Sequence, residues 1–217
     1  KGIKDKNSYL LNNKPLISYT IELAISSGIF DDIVVSTDSN KIADIAKLYG
    51  IEVDKLRPDS LATDDSPEIL SWKYEIRRYQ EKYSFDKFYC LPCTSPLRSI
   101  DDIKNMSKLF DRKEYDLVLG ITKSSKSPLF NMVERKTDGS LKKILDSEEN
   151  ITRRQDSCVY YDITTVCYIS SPEYIIKTES IFDGKIGGYI IPKERSLDID
   201  TLYDMDIANY LITKNDN

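Results

Sequence analysis

Asp198 and Asp200 stand two residues apart in Ser196-Leu197-Asp198-Ile199-Asp200-Thr201, directly after the β-type run Gly188-Tyr189-Ile190-Ile191-Pro192. On an extended backbone, residues two apart point to the same side. Both carboxylates then face one way, and Leu197 and Ile199 face the core. Two carboxylates on one side suit a hard cation. Mg²⁺ is usually held by one or two carboxylates together with substrate phosphates. The competing reading of this segment alone is a strand end with a solvated polar face.

Three further segments carry groups suited to anions. Lys1-Gly2-Ile3-Lys4-Asp5-Lys6-Asn7 places three lysines around a glycine, a composition that folds around phosphate or simply frays as a basic terminus. Thr94-Ser95-Pro96-Leu97-Arg98 supplies two hydroxyls, a rigid proline and an arginine between a strand and a helix. It reads as a nucleotide contact or as an ordinary helix-opening turn. Arg153-Arg154-Gln155-Asp156 offers guanidinium groups for carboxylate or phosphate, or a solvated charge run. Arg57-Pro58 is a weaker signal of the same kind.

Composition narrows the chemistry. The 217 residues contain no histidine. That removes Ser-His-Asp and Cys-His nucleophile systems, histidine-bound zinc and imidazole proton shuttles. Four cysteines are present, and Cys90-Leu91-Pro92-Cys93 forms a C-x-x-C. It is read as structural, with a redox pair or half a metal site as alternatives. A net charge of −5 argues against a broad nucleic-acid surface. No apolar run approaches a membrane span, and no signal-peptide pattern opens the chain, so a soluble cytoplasmic protein is expected.

These groups need a scaffold, and the chain alternates strand and helix patterns. Helices are predicted over 16–26, 40–49, 66–82, 99–113, a short one from Ser171, and 202–213. Strands are predicted at Ile33–Ser36, Ile51–Val53, Phe88–Leu91, Leu117–Ile121 and Thr165–Ser170. Repeated β-α units imply an α/β domain with a parallel sheet covered on both faces. Ligands in such sheets bind at the carboxyl ends of the strands, which singles out Ser36–Ser39, Pro92–Arg98 and Asp198–Thr201. The polar stretch 122–163 breaks the pattern and reads as an inserted arm of hairpins.

The order of the pieces resembles the acylneuraminate cytidylyltransferases, the CMP-sialic acid synthetase family. They are K-G-I-x-x-K-N, V-V-S-T-D-S (Val34–Ser39), R-P at Arg57, T-S-P-L-R, R-R-Q-D and S-L-D-I-D-T. The resemblance covers nearly the whole chain. It implies a Rossmann-like three-layer nucleotidyltransferase sheet in one domain, 1–217, with 122–163 as a dimerisation arm. It implies transfer from CTP to a sialic-acid-like 2-keto sugar acid, giving CMP-sugar and pyrophosphate with Mg²⁺. Asp198 and Asp200 would match the metal pair, with Lys6 beside them as a catalytic cation. Lys1, Lys6, Asn7, Arg57 and Ser66 would meet the nucleotide. Ser95, Arg98 and Arg154 would meet the sugar, Arg154 by reaching into the neighbouring subunit of a homodimer. The partners expected are CTP and an acidic sugar, with no nucleic acid and no membrane. The alternatives are an inactive nucleotide-binding homologue and a thiol–disulfide oxidoreductase using Cys90 and Cys93.

The chain departs from the family pattern in three places. The family's first strand and its A-R-x-G-S loop do not precede Lys1, so an upstream strand pairing inside the sheet is expected. Pro92-Cys93 replaces Gln-Pro before T-S-P-L-R. Asp162 stands where a second arm arginine is usual. A carboxylate there repels an acidic sugar, so a pocket unlike that for ordinary N-acetylneuraminic acid is expected.

Overall fold

The computed structural model describes residues 3–63, 65–145 and 158–215. Its centre is a sheet of four strands, β3 (Phe88–Cys90), β7 (Tyr161–Ser170), β4 (Leu117–Lys123) and β8 (Ile186–Ile190), in that spatial order. Two small hairpins complete the strand set among the described residues: β1 (Leu10–Leu11) with β2 (Lys14–Pro15), and β5 (Val133–Arg135) with β6 (Leu141–Lys143).

The helices are α1 (Leu16–Ser27), α2 (Asn40–Leu48), α3 (Glu68–Gln80), α4 (Ile100–Phe110), α5 (Pro172–Lys177) and α6 (Leu202–Asn215). Gly28, in the left-handed region at φ 63°, ends α1. Ser99 and Asp102 form a reciprocal capping box that starts α4. At α2 the cap is looser than the sequence implies. Ser39 makes no side-chain cap bond, and the Thr37 hydroxyl instead accepts from the Ser39 amide at 3.0 Å.

Period-two alternation along β4 builds the three layers. Leu117 and Leu119 pack with Ile69, Trp72 and Ile76 of α3 and with Ile175 of α5. Val118 points the other way, into a cluster with Ile103 and Met106 of α4 and with Val166 and Ile169 of β7. Helices therefore cover both faces, as expected of an α/β domain.

The sheet is mixed, not parallel. β4 and β8 run parallel, but β7 is antiparallel to both β3 and β4. Among the described residues of 124–160, no helix separates β4 from β7. The chain leaves along β4 and comes back along β7, which pairs with it antiparallel. The ladder extends to Lys123 opposite Tyr161. The excursion from the sheet therefore spans 124–160, inside the expected arm, and carries the β5–β6 hairpin. The segments Ile33–Ser36 and Ile51–Val53, predicted as strands, enter no ladder among the described residues. Their apolar side chains still pack against α1 and α2, with Ile17, Ile21, Ile42 and Ala46. Burial alone shaped the sequence signal there.

Candidate active site

The site is assembled around the extended segment 196–201. Ile199 is fully buried with Leu11, Leu16, Met205 and Ala208, and Leu197 packs against the same cluster. This apolar anchor leaves Asp198 half-buried and Asp200 exposed beside it. The Ile199 amide donates to the Thr94 carbonyl at 2.8 Å, and the Ser95 hydroxyl reaches the Leu197 carbonyl at 3.5 Å. The T-S-P-L-R loop therefore holds the backbone on both sides of Asp198. Asp204, in the first turn of α6, accepts from the Asp200 and Thr201 amides at 3.1 and 2.7 Å and fixes the far end.

The start of the chain closes on this segment. Lys6 lies in a single 3₁₀ turn, Lys6–Ser8, after Asp5 in a left-handed conformation. Its ammonium donates to the Ile199 carbonyl at 2.7 Å and to Asp200 Oδ1 at 2.9 Å. Asn7 is exposed in the same turn. Lys1 and Arg154 lie outside the described residues.

A second wall comes from the 34–38 and 54–68 segments. The Arg57 amide donates to the Thr37 carbonyl at 2.7 Å, and its guanidinium sits 3.4 Å from Asp38 Oδ1. Glu68 opens α3. Burial pushes its carboxyl up against the opposing effect of hydrogen bonds from Trp72 and Cys90, with Arg57 and Asp198 both in its electrostatic field. These couplings bring the second wall to Asp198.

Among the described residues nine buried side-chain polar atoms lack a protein partner, and five of them lie in these segments: Ser36 Oγ, Arg57 Nε, Ser66 Oγ, Arg98 Nη1 and Asp198 Oδ1. A buried polar group left unpaired costs about 1–3 kcal/mol. Such groups in one region call for an outside partner. The set is donor-rich around one carboxylate oxygen, which suits a polyanion carried with a cation. Asp198 and Asp200 fit Mg²⁺ in chemistry and in this unsatisfied oxygen. Among the described residues no cluster of three or more metal-ligating side chains stands ready-made, so the remaining ligands fall to substrate oxygens and water.

Of the predicted residues, Lys6 meets Asp200 directly, and Arg57 and Asp198 both act on Glu68; Ser66 lies two residues before Glu68 with its hydroxyl buried and without a protein partner. Ser95 and Arg98 belong to the site differently from the expectation of direct sugar contact. Ser95 is fully buried against the Thr165 hydroxyl at 2.7 Å. Arg98, 5% exposed, donates to the Ser95 carbonyl at 2.8 Å and to the Pro92 carbonyl. Sequence reading passed over Glu68, whose place in a first helical turn is also explained by the helix dipole. Ser36 lies in the Ser36–Ser39 loop that the sequence singles out, at the end of the predicted Ile33–Ser36 strand.

Cys90, Cys93 and Cys167 are free thiols. Burial raises all three that line the core: Cys90 well above its usual value, Cys93 to about 11 and Cys167 to about 12. A disulfide-exchange nucleophile needs the opposite shift.

Comparison with known proteins agrees with this geometry. A family model described as cytidylyltransferase matches residues 1–206. The chain is 33% identical over 214 residues to post-translational flagellin modification protein B of Campylobacter coli, covering 98% of this chain and 90% of that protein. It is 31% identical over 215 residues to the CMP-N,N'-diacetyllegionaminic acid synthase of Campylobacter jejuni, covering 98% and 90%. It is 32% identical over 209 residues to the N-acylneuraminate cytidylyltransferase of Escherichia coli; the match takes in 96% of this chain and 48% of that enzyme, about half its length. In fold, it superposes on a CMP:2-keto-3-deoxy-manno-octonic acid synthetase complexed with CTP with a TM-score of 0.70 at 13% identity, covering 99% of this chain and 94% of that one. The three-layer scaffold, the motifs gathered at Asp198 and the match over nearly the full length lead to one assignment: the chain belongs to the cytidylyltransferase family.

Proposed function

We propose that this protein couples CTP to a nonulosonic, sialic-acid-like 2-keto sugar acid, giving the CMP-sugar and pyrophosphate. The observation that carries the reading is the Lys6 contact. It brings the phosphate-type segment at one end of the sequence onto the Asp198–Asp200 pair near the other. The names of the relatives support the same substrate class.

In this reading the anomeric hydroxyl of the sugar attacks the α-phosphorus of CTP. The oxygen–phosphorus bond to pyrophosphate breaks, and the hydroxyl proton is lost to solvent or a nearby carboxylate. Bound Mg²⁺ would neutralise phosphate charge and polarise the reacting phosphate. Asp198 and Asp200 would hold it. Lys6 supplies a cation for the phosphates, with Asn7 and Lys1 in the same segment. Arg57, Ser36 and Ser66 donate to the nucleotide from the second wall. Such catalysis is mostly positioning and charge neutralisation, which a chain without histidine can perform.

We further propose that the protein acts in the cytoplasm as a homodimer, with the 124–160 excursion reaching the partner and Arg154 serving the partner's sugar site. Among the described residues, no helix is long and apolar enough to cross a membrane. The test is pyrophosphate release from CTP and Mg²⁺ with N-acetylneuraminic, legionaminic and pseudaminic acids offered separately. CTP-dependent release with at least one sugar acid is expected, with N-acetylneuraminic acid the poorer substrate because of Asp162. No release with any of them, from protein that binds CTP, would leave a nucleotide-binding homologue.

A further inference from the structure

We propose that Arg98 is a positioning residue, whose buried guanidinium locks the 92–98 loop against the segment presenting Asp198 and so sets divalent-cation affinity. This rests on the reading of Asp198 and Asp200 as the metal pair.

The mechanical link runs through hydrogen bonds. The Arg98 guanidinium donates to both the Pro92 and the Ser95 carbonyl, so one rigid fork closes the turn between them. From that turn, the Thr94 carbonyl holds the Ile199 amide at 2.8 Å and the Ser95 hydroxyl reaches the Leu197 carbonyl. These contacts flank Asp198 on either side. If the fork opens, both struts move.

The charges point the same way. Arg98 lies among Cys90, Cys93 and Cys167, thiols that burial keeps neutral. Asp198 lies in its electrostatic field. No carboxylate lies within 4.0 Å of the guanidinium among the described residues. Arg98 Nη1 and Asp198 Oδ1 are both buried and both without a hydrogen-bond partner. A buried cation that acts on the carboxylate from beyond 4.0 Å steadies it without neutralising it by contact. Asp198 Oδ1 is thus left available to a metal.

The experiment is a Mn²⁺ titration followed by electron paramagnetic resonance, with CTP present, on wild type and Arg98→Lys. CTP binding in EDTA is measured alongside. Lysine keeps the charge but lacks the rigid planar fork that fixes the Pro92 and Ser95 carbonyls in one geometry. Mn²⁺ affinity is expected to fall about tenfold or more, as for other residues that orient a ligand, while metal-free CTP binding stays within about twofold. Equal Mn²⁺ affinity in wild type and variant would overturn the role of Arg98. So would an equal loss of metal-free CTP binding, which marks a general scaffold residue. If Arg98→Lys does not fold, Ser95→Ala removes one strut directly. A lowered Mn²⁺ affinity there supports the proposal, and an unchanged one overturns it. A wild-type protein that binds no Mn²⁺ would fail separately, by removing the metal reading beneath.

Discussion

The Lys6 ammonium and the Asp200 carboxylate, 194 residues apart in sequence, meet at 2.9 Å. Asp200 is largely exposed, with a side-chain accessibility of 70%. An ion pair of that kind contributes only about 0–1 kcal/mol to stability. Its value is functional, because it holds a cation next to the acidic pair. Lys6→Met should therefore lower kcat/KM by about 10²-fold or more, as for loss of one preorganised charge-stabilising group. Its thermal midpoint should stay close to wild type. A variant that loses stability in proportion to activity would make Lys6 a structural residue.

Asp198→Asn and Asp200→Asn should each abolish most CMP-sugar formation, since each loses a hard anionic oxygen. Asp198 Oδ1, however, is buried without a partner. Asp198→Asn removes no hydrogen bond at that oxygen, so the thermal midpoint in EDTA should stay close to wild type. A clear fall for Asp198→Asn would mean that the carboxylate is paired within the protein. Near-normal turnover at low Mg²⁺ in either variant would remove that residue from the site.

Much of this was legible in sequence because the signals were local. Asp198 and Asp200 flank Ile199, and the alternation put Ile199 in the core. Gly28 and the Ser99 box marked helix ends by backbone chemistry. Other features depend on distant neighbours. Ile33–Val35 has the composition of a strand, but composition does not specify which strand lies alongside. The direction of β7 follows from the route of the excursion, not from its own residues. Arg98 carries the same letters whether it faces a ligand or a pair of carbonyls.

The Asp102–Arg195 pair predicts an acid-sensitive latch behind the site. Arg195 grips Asp102 through two bonds of 2.8 Å each. Burial alone would raise the Asp102 carboxyl, but the bonds from Arg195 and Ser99 outweigh it and hold it below its ordinary 3.8. A depressed carboxyl stabilises the fold above its unfolded value and loses that contribution as pH falls through the folded one. Asp102→Asn should cost about 1–3 kcal/mol near pH 7. The gap from wild type should begin to narrow below about pH 4, where the unfolded chain's carboxyl protonates, and keep closing as pH falls through the lower folded value. Chemical denaturation at pH 7 and pH 3.5 measures both; a constant gap would exclude the ionised latch.

The C-x-x-C offers a test of the remaining rival chemistry. Burial lifts the Cys93 thiol to about 11. Cys93→Ala breaks the motif and should retain cytidylyltransferase activity within about twofold, losing about 1 kcal/mol from a small core defect. Alkylation of Cys90 and Cys93 in folded wild type at pH 8 should be slow compared with a free thiol. Rapid alkylation with loss of a reductase activity would revive the redox reading.

The β5–β6 hairpin gives the last prediction. Every residue of its two strands is exposed. Val133 and Leu141 show 52% and 64% of their surface, and Ile144 and Leu145 show 47% each. A lone two-stranded hairpin is at best marginally stable in water, and clustered apolar surface of this kind marks an interaction face. A second copy is the occupant that matches the expected shared site, since the 124–160 excursion also carries Arg154. The double variant Val133→Asp, Leu141→Asp should therefore sediment as a monomer at micromolar concentration while wild type sediments as a dimer. Its circular dichroism should match wild type, because neither residue belongs to the core. Turnover should fall about tenfold or more if the partner's arginine completes each sugar site. A monomeric wild type would defeat both dimer and shared site. A monomeric variant with full activity would keep the interface and defeat only the sharing.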